Sequence, residues 1–127
     1  MDSSVSKINL ILEVKGKTKV PCELKRHLSP RTVGIILRSL PLEGNGHEMT
    51  KNIVYMETPI ESGTDRPRKE FKKGDIAFLP ANGSICFFLE DSADVKTMTP
   101  IGKITSDVDL LKTVKSGDVF YLHAETG

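Results

Sequence analysis

The sequence predicts a mainly β domain whose sheet is closed or heavily packed, and three observations carry that expectation. Apolar and charged residues alternate with period two along residues 8–25, the pattern of strands with one buried and one wet face. Two later segments, Ile76-Ala77-Phe78-Leu79 and Ile85-Cys86-Phe87-Phe88-Leu89, are apolar almost without a break. A strand carries such a run when both of its faces are covered. A helical stripe at Val33, Ile36, Leu37 and Leu40 gives the sheet a helix to pack against.

In chain order, Ile8, Leu10, Leu12 and Val14 alternate with Lys7, Asn9 and Glu13, with Ile11 as the exception. Lys15-Gly16-Lys17 then turns the chain, and Val20, Cys22 and Leu24 alternate with Lys19, Glu23 and Lys25. An antiparallel hairpin is expected. Pro21 lacks a backbone donor, which assigns the second strand to an edge or to a position that needs no N–H. Ser29-Pro30 reads as a helix start, with Ser29 capping the free amides and Pro30 in the first turn, and Pro41 ends the helix.

Gly44-Asn45-Gly46 is expected to turn the chain into a β run from about His47 to Glu57, centred on Ile53 to Met56. Residues 60–73 read as a charged loop. Lys73-Gly74-Asp75 and Pro80-Ala81-Asn82-Gly83 are tight turns, each leading into one of the two apolar strands. A polar loop from Glu90 to Thr99 precedes a short strand, Pro100-Ile101-Gly102-Lys103-Ile104. Ser106 or Asp107 is expected to cap a second helix with Val108, Leu111 and Val114 inward and Gly117 in the left-handed position at its end. Val119 to Ala124 forms the last strand.

The chain has 127 residues, the length of one domain, and can bury roughly two-thirds of its unfolded surface without a metal or disulfide. With no repeat and no long linker, residues 1–127 are expected to form a single domain. A hydrophobic fraction of 38% and a charged fraction of 28% argue against disorder and against a membrane protein. The formal charge of +1 gives no bulk attraction for nucleic acid or acidic lipid, and the apolar runs fall far short of the ~20 residues that span a bilayer. Met1-Asp2-Ser3-Ser4 lacks the basic start and apolar stretch of a secretory signal, so a cytoplasmic location is expected. In that reducing compartment Cys22 and Cys86 read as small buried hydrophobes rather than a disulfide.

Three segments in fixed order carry a family resemblance: Asn82-Gly83-Ser84 running into Phe87-Phe88-Leu89, then Ile101-Gly102-Lys103-Ile104, then a short helix ending at Gly117. They resemble the C-terminal half of cyclophilins, and Gly74-Asp75-Ile76-Ala77 fits the same order. The whole chain looks like the uncharacterised prokaryotic cyclophilin-like proteins, small single-domain relatives of similar length. The motif-bearing part runs from Lys73 to Glu125, while the N-terminal hairpin and helix fit by order alone. The resemblance implies a closed antiparallel β-barrel of about eight strands with two capping helices. Closure leaves no exposed sheet edge, which suits a monomer or weak homo-oligomer.

The resemblance also brings a chemistry to weigh. Prolyl isomerisation crosses a barrier of ~20 kcal/mol, and cyclophilins lower it with an arginine that weakens the amide conjugation, set among aromatic residues, a glutamine and a histidine. Here Phe87 or Phe88 falls where the family's pocket phenylalanine lies. Met98 stands where its histidine would be, and Val54-Tyr55-Met56-Glu57, where its Phe-His-Arg segment would fall, holds no arginine. Efficient isomerase activity is therefore not expected. A non-catalytic binding module is the leading expectation, a weak peptidyl-prolyl isomerase or folding helper the alternative, and a catalytic subunit completed by a partner a third reading. Arg66 and Arg68, on the long loop, are the arginines in reach.

An apolar groove remains, for which Tyr55, Met56, Phe78, Phe87, Phe88 and Met98 are the candidates, suited to a peptide or a small apolar ligand. Plain core is the commoner fate of such residues, and alternation sends Phe87 and Phe88 to opposite faces. No cofactor is expected. His27, His47 and His123 lie on different elements without paired ligand spacing, so no metal site is expected either. A Cys86 nucleophile with His123 requires adjoining strands and a lowered thiol pKa that nothing near Cys86 supplies. Glu90, Asp91 and Asp94 read as a solvated turn rather than an acid–base pair. Arg66, Arg68, Lys69, Lys72 and Lys73 surround Phe71 but are diluted by Asp65, Glu70 and Asp75, which favours a solvated loop over a nucleic-acid site. No glycine-rich phosphate-binding motif opens either helix.

Overall fold

The structure is a computed structural model that describes residues 7–125; the tetrapeptide read for a targeting signal lies outside that range. Eight strands form it: β1 (Lys7–Val14), β2 (Thr18–Lys25), β3 (Leu42–Thr50), β4 (Ile53–Glu57), β5 (Asp75–Leu79), β6 (Ser84–Phe88), β7 (Thr99–Ile104) and β8 (Val119–Ala124). They close into a barrel in the order β1-β2-β7-β5-β6-β4-β3-β8, with every neighbouring pair antiparallel. One α-helix, α1 (Pro30–Ser39), and two 3-10 segments, Arg26–Leu28 and Val108–Thr113, complete the frame among the described residues. No helix among the described residues is long and apolar enough to cross a membrane.

The expected hairpin forms with Leu10 opposite Cys22 and Leu12 opposite Val20. Pro21 costs no ladder bond. Its carbonyl accepts from Thr105 N–H at 3.1 Å, so its nitrogen faces the β7 side, where strand pairing begins only at Cys22.

Alternation fills the barrel from every strand. Leu10, Leu12, Val20, Cys22, Leu24, Val54, Met56, Ile76, Phe78, Ile85, Phe87, Phe120 and Leu122 form one buried cluster, which Val33 and Ile36 of α1 and Val108 and Leu111 of the second 3-10 segment join. A second cluster lies on the outer face of β4, β5 and β6: Ile53, Ala77, Leu79, Cys86 and Phe88, with Phe71 and Met98 laid over them from the flanking loops. That outer layer is why β5 and β6 are buried at every position and read as unbroken apolar runs.

Three sequence expectations are corrected. Gly44-Asn45-Gly46 is not a turn but the middle of β3, which begins at Leu42; the turn falls at Lys51-Asn52. A Cβ on Gly46 would collide with the Phe120 ring, and one on Gly44 with the Glu57 carbonyl, so these glycines serve close approach inside the barrel wall. Ser29 does not cap α1. Its buried hydroxyl lies 2.7 Å from the carbonyl oxygens of both Leu28 and Pro100, and the Arg31 N–H donates instead to the Asp65 carboxylate at 3.2 Å. The helix thus takes its cap from the long β4–β5 loop. The second helix is a 3-10 segment capped by Asp107, which accepts from Asp109 N–H at 2.9 Å. It ends at Thr113, and Gly117, at φ +100°, serves the Lys115–Asp118 turn.

Candidate functional site

The six candidate groove residues do not share a face. Met56, Phe78 and Phe87 point into the barrel, Phe88 and Met98 belong to the outer cluster, and Tyr55 is half-buried at the rim of that cluster. Successive side chains of a strand point oppositely, so Phe87 meets Phe120 inside, with ring centroids 6.0 Å apart, while Phe88 faces outward.

The outer face is already occupied by the chain itself. Phe71, from the β4–β5 loop, stacks on Phe88 with centroids 4.6 Å apart and planes 19° apart, and is only 1% exposed. Two backbone bridges pin it. Phe71 exchanges bonds with Ser92 at 2.8 Å each way, and Arg68 does so with Met98 at 2.9 and 3.0 Å. The Arg68 guanidinium lies 5.1 Å from the Phe71 ring centre, so the ring is held between a cation and Phe88. Asp75, nearly buried, accepts from Lys72 N–H at 2.8 Å and approaches Lys103 at 3.6 Å and Arg68 at 4.0 Å. The basic loop is thereby tied to the barrel wall. Of the two arginines in reach, Arg68 lies over this face and Arg66 donates to the His27 carbonyl at 2.7 Å.

An open concavity lies elsewhere. Glu57 and Ser84 are register partners on β4 and β6, so the segment leaving β4 and the turn entering β6 emerge side by side. Thr58 continues the pairing for one residue: its N–H and its hydroxyl both donate to the Gly83 carbonyl, at 3.1 and 2.6 Å. Its hydroxyl oxygen also accepts from Ile60 N–H at 3.1 Å, which bends the chain away. Gly83, at φ +67°, sits so close to that bend that a Cβ would come within 2.7 Å of the Ile60 carbonyl. Beyond this touching point the two segments diverge, and residues 58–63 and 80–83 enclose a cleft of about 610 Å³. Ser62, whose hydroxyl lies 3.2 Å from that of Thr32, anchors the outer wall to α1.

Chemically the cleft is sparse. Its lining offers Thr58, Ser62, Asn82 and the carboxylate of Glu61 among prolines, glycines, Ala81 and Ile60, with no histidine, cysteine, lysine or arginine. One residue upstream, outside the lining, the Glu57 carboxylate and His47 Nε2 are hydrogen-bond partners, and the imidazole stacks on Tyr55 with centroids 5.1 Å apart. The sequence marks residues 60–63 as loop and 80–83 as turn, leaves Thr58 and Pro59 unassigned, and points to none of these residues as a site. The available signal was their punctuation, Pro59 and Gly63 on one side and Pro80 and Gly83 on the other, since binding residues concentrate on loops held by a rigid frame.

The other candidates disperse. Strands β6 and β8 are separated by β4 and β3, so Cys86 and His123 do not adjoin, and burial pushes the Cys86 thiol up to about 12, the opposite of an activated nucleophile. Cys22 lies inside the barrel and Cys86 in the outer cluster, both free. Glu90 pairs with Lys112 at 3.0 Å and Asp91 accepts from Lys73 N–H at 2.8 Å. Among the described residues no three His, Cys, Asp or Glu side chains converge as a metal site.

The family model described as Cyclophilin-like matches residues 6–123. The solution structure of the hypothetical protein AF2241 from Archaeoglobus fulgidus superposes with a TM-score of 0.75 at 20% identity, covering 94% of this chain and 96% of that one. The structure of McbB in complex with tryptophan superposes with a TM-score of 0.75 at 15% identity; it covers 93% of this chain, which spans only 45% of McbB. At such identities the two neighbours establish the fold alone. No curated protein matches the sequence. The chain belongs to the Cyclophilin-like family.

Proposed function

We propose that this member of the Cyclophilin-like family is a non-catalytic, single-domain binding module whose ligand, a short peptide end or a small molecule with an apolar part, sits in the cleft between residues 58–63 and 80–83. One observation carries the reading: the cleft is an open concavity of about 610 Å³ on a closed, rigid barrel, lined by loop backbone and short side chains. Its Pro59, Pro80, Ala81 and Ile60 surfaces suit the apolar part of a ligand, and its hydroxyl, amide and carboxylate groups suit the polar part. The lining lacks the residue types that carry acid–base or nucleophilic chemistry at neutral pH, apart from one carboxylate, which supports binding rather than turnover. Phe71 fills the aromatic face on which the isomerase alternative would depend.

The test is a 15N-detected titration of the whole chain with a panel of free and blocked di- and tripeptides and aromatic amino acids. Tryptophan, the molecule that McbB holds, is the first probe. Saturable shifts confined to the amides of Glu61, Ser62, Ala81, Asn82 and Gly83 are expected. Shifts centred instead on Phe71 and Phe88 would transfer the site to the outer face. A coupled Xaa-Pro peptide assay is expected to give no acceleration above the spontaneous rate; turnover at the level of an active cyclophilin would overturn the non-catalytic reading.

A further inference from the structure

Resting on the cleft as the binding site, we infer that the ligand group it receives is a primary ammonium, held by Glu61. An incoming group meets backbone N–H donors, backbone carbonyl acceptors and a few side chains, and a site selects the partner that complements whichever kind is left over. Five of the ten lining residues offer a ligand no N–H: Pro59 and Pro80 have none, Thr58 and Gly83 spend theirs on the Gly83 and Leu79 carbonyls, and Ile60 spends its own on the Thr58 hydroxyl. The Thr58 hydroxyl hydrogen is committed as well, to Gly83. The carbonyl side is less depleted: the Gly83 oxygen takes both Thr58 donors and the Gly63 oxygen takes the Ser62 hydroxyl, but the prolines keep their C=O and each carbonyl oxygen has two lone pairs.

Charge points in the same direction. Glu61 is the one ionisable group of the lining, it is exposed, and no ion pair engages it among the described residues. A free carboxylate and an excess of acceptors repel an anionic group and leave a neutral acceptor unpaired. An ammonium, with three donors, a positive charge and no acceptor, is the complement. A free peptide N-terminus and a small amine share this chemistry.

The experiment uses one aromatic skeleton with three head groups: tryptamine, tryptophol and indole-3-acetate, titrated into the whole 15N-labelled chain and into Glu61→Gln. Tryptamine is expected to shift the amides of Glu61, Ala81 and Asn82 with a Kd at least tenfold below that of tryptophol, and indole-3-acetate to leave them unmoved. In Glu61→Gln the tryptamine Kd is expected to rise five- to tenfold while that of tryptophol stays within twofold. Equal binding of tryptamine and tryptophol at the cleft would overturn the ammonium assignment and leave the cleft as the site. If no head group moves the cleft amides, the ammonium assignment and the cleft reading both fail. A second titration, of an Ala-Pro dipeptide against its N-acetylated form, distinguishes a peptide end from a small amine, and loss of binding on acetylation is the expected result.

Discussion

Strand β6 joins two regions that handle concavity in opposite ways. Its N-terminal neighbour, Gly83, belongs to a cleft that stays open, and its last residue, Phe88, belongs to an apolar face that the chain closes with its own Phe71. The difference is chemical. An apolar face of this breadth left in water would forgo roughly 1.5–3 kcal/mol for each large side chain it could bury, so the β4–β5 loop covers it. A surface of backbone carbonyls, short hydroxyls and one carboxylate is already satisfied by water and calls for no cover. A polar concavity therefore stays open beside the covered apolar face, and the proposed function rests on that contrast.

Removing the cover is the harshest test of this contrast. Phe71→Ala is expected to lower the unfolding free energy by about 3 kcal/mol or more, whereas Asn82→Ala in the cleft is expected to change it by less than about 0.5 kcal/mol; urea denaturation of the two variants side by side reads both values. Comparable losses would mean that the cleft is as structural as the covered face. The next effect concerns what ties the cover down. Asp75→Ala removes a buried acceptor from Lys72 N–H and its pairing with Lys103 and Arg68, with an expected cost of about 2 kcal/mol. Hydrogen exchange at Arg68 and Phe71 is expected to accelerate in that variant before exchange in β1 and β2 does.

Titration probes the same burial at high pH. The Cys22 and Cys86 thiols are pushed up to about 12 from an ordinary 9.0, mainly because burial penalises the thiolate. Between those values the unfolded chain loses thiol protons that the folded chain keeps, so stability is full below about pH 9 and declines as pH rises toward 12. At pH 10 the expected decline is on the order of 1 kcal/mol per thiol. A Cys22→Ala, Cys86→Ala double variant should show a flatter profile, and a thiol-reactive dye should label the native protein only as it unfolds. Glu61→Gln stands at the small end. With no ion pair to lose, it should leave the urea midpoint unchanged, so any loss of ligand binding in that variant reports on the cleft alone.

Much of the frame was legible because burial writes itself into periodicity. The β1–β2 hairpin, the helix from Pro30, the two fully buried strands and the last strand from Val119 to Ala124 all follow from alternation, turn chemistry or unbroken apolarity. The second cysteine and Phe88 could likewise be read as buried. The corrected elements share one cause. Glycine serves both turns and close approach, and Gly44-Asn45-Gly46 looks the same in either role until Phe120 and Glu57 arrive from distant strands. Ser29 had the right neighbour for a cap, but Asp65, more than thirty positions away, took the role.

The candidate site divides in the same way. The sequence by itself determined that Phe87 and Phe88 face opposite ways, that no arginine stands at the position the family resemblance assigns to it, and that residues 60–73 and 80–83 are loop and turn. These are local properties of chain geometry and composition. Only the tertiary structure decided that Phe71 closes the outer face, because a single aromatic residue in a charged loop carries no mark of the surface it will meet. Barrel closure alone set Glu57 opposite Ser84, and that pairing brings the two loops together and leaves the cleft between them. Its acceptor-rich lining depends on which amides the fold has already used, and no residue type records that.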